Sequence, residues 1–130
     1  MRQPGSLQLA RAFLVINAFL WLVFAAIVAA GQHPSYPPSS PSFLPMAAGS
    51  LLGALVLAVI AWLLRKPGLS AYWIALGVLC IALLACLLDD IGYADLVPIL
   101  LTAAPLTLLI RNRSWFAPPS GTEGGPKRAA

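Results

Sequence analysis

The sequence predicts an all-α integral membrane protein, a four-helix antiparallel bundle with N and C termini cytoplasmic, and three observations carry that prediction. The 130 residues are 60% hydrophobic and only 9% charged, which leaves too little polar surface to wrap a water-soluble core. The apolar residues gather into four stretches, each close to the ~20 helical residues that about 30 Å of hydrocarbon requires. Finally, all eight Lys and Arg residues lie on one side of those stretches. Arg2 and Arg11 precede the first, Arg65 and Lys66 separate the second from the third, and Arg111, Arg113, Lys127 and Arg128 follow the fourth. Basic residues beside a span resist translocation, so the bias keeps both ends inside.

The first span is expected from Leu7 to Ala30. Two basic residues and a small-residue end at Val28-Ala29-Ala30 give it some features of a signal peptide, but signal cores run about 7 to 15 residues and this one is longer. The second runs from Met46 to Leu64, the third from Ala71 to Leu88 and the fourth from Ile91 to Ile110. Each must be helical, because lipid offers no partner to exposed backbone groups. Trp62, Tyr72, Trp73 and Trp115 stand beside the basic ends, where an amphipathic ring suits the headgroup layer.

The connections differ in kind. Residues 31–45 hold Pro34, Pro37, Pro38, Pro41 and Pro45 with four serines, a composition expected to be extended, without helix or strand, and anchored by Tyr36 and Phe43. This outer loop is either passive or functional, as a lid or a partner-binding loop. Residues 65–70, with Pro67 and Gly68, form a tight turn that should make the second and third spans an antiparallel hairpin. The spans make one domain, 1–116, and the polar tail 117–130 is expected to be disordered and cytoplasmic.

Helices in lipid are held together by close approach through small residues. Gly49 and Gly53 form a GxxxG in the second span, continued by Ser50, Ala54, Ala58 and Ala61. Ala71, Ala75, Ala82 and Cys86 share a face of the third, so the two stripes can meet inside the hairpin. The same glycines can instead form a homodimer face. In the fourth span Pro98 and Pro105 each remove a backbone donor, and with Asp95 and Thr102 they make one polar stripe that should face protein. Asn17 is the one amide deep in the first span, at the depth of Thr102 and the Leu101 carbonyl. A hydrogen bond from Asn17 to the fourth span is therefore expected, as structural glue or as a step in a polar path.

The acidic cluster of Asp89, Asp90 and Asp95 suggests a helix cap, a proton or cation entry point, or a metal site. Its spacing matches no calcium loop, and His33 could approach it from the other loop. No metal or cofactor is expected. Cys80 and Cys86 lie within one helix, about 9 Å apart along its axis, so they cannot bridge each other and read as packing residues. One His and two membrane-embedded Cys assemble neither an acid–base pair nor an activated nucleophile, so an enzyme is not expected. Nucleic acid is not an expected partner, because the basic residues form no stripe with interleaved aromatics.

In size and span number the layout resembles the small multidrug-resistance transporters, the vitamin K epoxide reductases and the DoxX-like membrane proteins. It departs from the first in carrying Asn17 where they carry a carboxylate in the first helix, and from the second in lacking a CxxC. Architecture of this kind does not carry function. The sequence therefore points to a small multi-pass protein of the plasma membrane, bacterial in character, acting as a non-catalytic accessory or structural subunit. Its expected partners are the lipid bilayer, a second copy of itself or a larger membrane complex. The alternative is a small proton- or cation-coupled transporter using Asp95, Thr102 and Asn17.

Overall fold

The computed structural model describes residues 3–66, 68–88 and 96–117. About 80% of them are helical, and no strand occurs among them. The helices are α1 (Gly5–Ala29), α2 (Phe43–Leu63), α3 (Leu69–Leu88), α4 (Leu96–Arg111) and a single turn, α5 (Arg113–Phe116). The first three are long and apolar enough to cross a membrane, and α4 is a shorter apolar helix.

Two features differ from expectation for physical reasons. Helix α2 begins at Phe43, so Pro45 occupies its first turn instead of ending the preceding loop. A missing N–H costs nothing there, because the first-turn donors lack intrahelical acceptors anyway. The 31–42 connection is also less extended than its prolines suggest. Its backbone closes successive turns through Tyr36 N–H to His33 O, Ser40 N–H to Pro37 O and Phe43 N–H to Ser40 O, at 2.8 to 3.1 Å. The fourth span was expected from residue 91, but residues 89–95 lie outside the described part and α4 is followed only from Leu96.

The end of α1 shows why glycine stands at position 31. Ala30 is the C-cap, Gly31 has φ +68°, and the Gly31 and Gln32 N–H groups bond back to Val28 O and Ile27 O. This is a Schellman closure, which requires a left-handed residue after the cap. A Cβ on Gly31 would also lie 2.8 Å from Cγ of Pro38, in the loop that folds over it. Gly31→Ala should therefore destabilise the protein by about 1–2 kcal/mol from backbone strain alone, read as an earlier midpoint in SDS-titrated unfolding from mild detergent.

Helix α1 is the centre of the assembly: it packs along α2 and α4, and α3 packs on α4. Its buried residues include Leu7, Leu14 and Val28 on one heptad line, with Ala10, Asn17, Ala18 and Ala25 beside it, the spacing that keeps a helix seam in register. On α2 the buried stripe is Ser50, Ala54, Leu57, Ile60 and Ala61. The antiparallel course of the second and third spans holds, but the packing expected between them is corrected here. Helices α2 and α3 are joined by the short turn but touch little along their lengths. The small residues of α2 are buried, and α1 is the helix packed along them. A tight turn fixes only the near ends of two helices, and the seam with the better close approach decides the neighbours.

Side-chain pairs show that α1 runs antiparallel to α2 and α4, and α3 antiparallel to α4. Arg11 meets Ala61, Ser6 meets Asn112, Asn17 meets Thr102, and Tyr72 stacks near Phe116 with ring centroids 5.5 Å apart. The start of α1, the end of α2, the start of α3 and the end of α4 thus share one end of the bundle. The described basic residues, Arg11, Arg65, Lys66, Arg111 and Arg113, all belong to it. The continuous core is concentrated toward this end, built from Leu7, Leu14, Leu57, Ile60, Leu64, Tyr72, Ala75, Leu79, Leu109 and Phe116. Beyond Leu79, α3 presents Cys80, Ile81, Leu84 and Leu87 outward, so Cys80 is not the packing residue its size suggested.

Candidate functional site

Ser50 donates to Met46 O of its own helix at 2.7 Å, and other polar side chains inside this apolar assembly form three groups. The deepest is Asn17 of α1 with Thr102 of α4, exposed by only 1% and 3%. Asn17 Nδ2 donates to Thr102 Oγ1 at 3.2 Å, and Thr102 Oγ1 donates in turn to Pro98 O at 2.7 Å. The partners match in depth because Ser6 and Asn112 pin the same two helices at the basic end at 2.8 Å. From there Asn17 is eleven residues along α1 and Thr102 ten residues along α4, about 16 and 15 Å. The expected bond from Asn17 to α4 is therefore present, with the Thr102 hydroxyl as its acceptor. Asn17→Leu should cost about 0.6–1.7 kcal/mol, the range of interhelical hydrogen bonds within membranes. Thr102→Val should add little to it in a double-mutant cycle of SDS unfolding.

A second group closes the basic end. Arg11 Nε donates to Ala61 O at 2.9 Å, Gln3 Nε2 donates to Leu64 O at 2.8 Å, and Arg11 Nη1 donates to Gln3 Oε1 at 3.2 Å. The remaining terminal carbonyls of α2 are satisfied locally: Ile60 O by Leu64 N–H, Trp62 O by Arg65 N–H and Leu63 O by Lys66 N–H. The start of α1 therefore supplies the donors that α2 lacks, and the guanidinium opposes the partial negative charge at that helix end. On α4, Asn112 Nδ2 donates to Leu108 O at 2.6 Å, and α5 then turns Phe116 into the core, 2% exposed. The Arg113 guanidinium lies 5.9 Å from the Trp73 ring centre. Trp62 and Trp73 are exposed at this level, whereas Tyr72 is buried.

The third group is the 31–42 connection. His33 is held between Phe24, at 5.3 Å, and Tyr36, at 5.0 Å, and its Nδ1 accepts the Ser35 N–H at 3.3 Å. It is thus seated on the end of α1, not simply solvated.

Of the residues singled out from the sequence, Asn17 and Thr102 are brought together. Asp95 lies outside the described residues, as do Asp89 and Asp90. Gly49 and Gly53 stand on α2 with nothing within 4 Å of where a Cβ would be, so neither seats another helix among the described residues. Gln3, Ser6 and Asn112 were not singled out, and Arg11 was read only as an orienting charge. Their signal was the uncapped apolar end Trp62-Leu63-Leu64, whose carbonyls need donors from elsewhere. The comparisons with known proteins return nothing: no family model, no curated protein and no solved structure matches the chain.

Proposed function

We propose that the chain is a small multi-pass integral membrane protein with both termini cytoplasmic, residing in a bacterial plasma membrane as a non-catalytic accessory or structural subunit. The observation that carries this reading is the use of its interior polar groups. Asn17, Thr102, Gln3, Ser6, Arg11 and Asn112 all join one helix to another or close a helix end. Such bonds fix relative helix positions, which suits a scaffold. The open flank at Gly49 and Gly53 supports self-association or docking to a larger membrane complex through a close small-residue contact.

The alternative is a small proton- or cation-coupled transporter with a path along Asp95, Thr102 and Asn17. It draws on the pairing of Asn17 with Thr102 at 3.2 Å, which sets two polar side chains at one depth between α1 and α4. Proton flux into proteoliposomes, compared between the unaltered protein and Asp95→Asn, separates the two. The accessory reading expects no difference, and loss of a coupled flux would replace it with the transporter. Gly53→Leu should shift the cross-linked species toward monomer while leaving the helical content unchanged. A cysteine at Lys66 should resist impermeant reagents in intact cells.

A further inference from the structure

An open groove of about 440 Å³ runs along α1 at the basic end, lined by Gln3, Gln8, Arg11, Ala12, Val15 and Ile16. Its lining changes character along its length. Gln3, Gln8 and Arg11 stand at the mouth, and Ala12, Val15 and Ile16 continue inward as exposed apolar surface. No carboxylate is among these residues. The guanidinium at the mouth is immobilised: Nε is fixed on Ala61 O and Nη1 on Gln3 Oε1. Its remaining N–H donors, those of Nη2 among them, have no acceptor among the described residues. An arginine preset in this way offers paired donors suited to a phosphate.

Depth supplies the second argument. Helix α2 has 21 residues, about 31 Å, which matches a hydrocarbon layer of about 30 Å. Its terminal carbonyls, and the guanidinium bonded to them, then lie at the hydrocarbon edge, where the phosphates of lipids begin. Arg65 and Lys66 follow directly on the carbonyl that Gln3 binds and add positive charge at that level.

We infer that this groove binds one anionic phospholipid, with its phosphate on the free edge of Arg11 beside the Gln8 amide and one acyl chain along Ala12, Val15 and Ile16. The site rests on the bilayer reading and is independent of whether the protein is an accessory subunit or a transporter.

The test uses the full chain in nanodiscs of equal phosphatidylglycerol and phosphatidylcholine, with retained lipid counted by native mass spectrometry after gentle release. Retained phosphatidylglycerol should exceed phosphatidylcholine severalfold, because both offer the phosphate but only phosphatidylcholine sets a choline cation beside the Arg11 guanidinium. Gln8→Glu, which sets a negative charge at the mouth, and Ala12→Phe, which fills the groove, should each bring the ratio close to one. Both positions are exposed and neither side chain bonds Arg11; Gln8→Glu gives up only the 3.5 Å bond from Gln8 Nε2 to Gln3 O. Arg65→Gln should keep the enrichment, and millimolar inorganic phosphate should not displace the lipid. Equal retention of the two lipids, unchanged retention in both groove variants, loss in Arg65→Gln to the same degree, or displacement by phosphate would each overturn the site. Failure of the protein to float with lipid vesicles would instead overturn the bilayer reading beneath it.

Discussion

Ala54→Phe should destabilise the protein by about 1–3 kcal/mol, the usual cost of forcing volume into a packed seam. Ala54 is 6% exposed on the buried stripe of α2. Taking the Arg11–Ala61 bond as the register mark, the antiparallel run of the two helices brings Ala54 to the level of Ala18, itself buried on α1. Two alanines let the backbones approach closely, and a phenyl ring would hold them apart along the longest interface of the molecule. The neighbouring Gly53→Phe is the control, since a side chain there enters open space. SDS-titrated unfolding of both variants should give a lowered midpoint for position 54 only. Equal losses at the two positions would mean that α1 and α2 do not meet on this face.

Arg11→Met should cost a similar amount, about 1–3 kcal/mol, because it removes the donor that Ala61 O depends on and leaves a carbonyl unsatisfied at a partly buried helix end. It also strips Gln3 Oε1 of its partner. Methionine retains most of the volume, so the loss reports on hydrogen bonding and charge instead of packing. Arg11→Lys should recover part of it, since an ammonium can reach one acceptor but lacks the planar fork that serves Ala61 O and Gln3 together. The same unfolding titration distinguishes these outcomes: lysine falling between arginine and methionine supports the end-closing role, and methionine matching arginine removes it.

The helices were legible in the sequence because their evidence is long and redundant: runs of apolar residues of nearly constant length, interrupted by prolines, glycines and charges. The Asn17–Thr102 contact was legible for a simpler reason, since two polar residues at equal depth in apolar helices have few other partners. The neighbour relations were not. The small faces of α2 and α3 are each compatible with several helices, and the sequence contains no term that ranks α1 above α3 as the partner of Ser50, Ala54 and Ala61. Pro45 misled because a proline reads as loop unless the start of the helix is already known. Gln3 and Arg11 were hidden for the opposite reason. Polar residues ahead of a span look solvated, and only the three-dimensional account of the α2 carbonyls shows where their donors go. The Gly49–Gly53 pair was recognised as a packing motif, but its open flank emerges only once the helices are placed against one another.

The link between the beginning of α1 and the end of α2 has a consequence for biogenesis. Gln3 and Arg11 emerge from the ribosome long before Ala61 and Leu64, the backbone oxygens they hold. During that interval the start of the first helix has donors without their acceptors. Arrival of the second helix closes the latch, so the two helices should lock as one kinetic unit before α3 joins them.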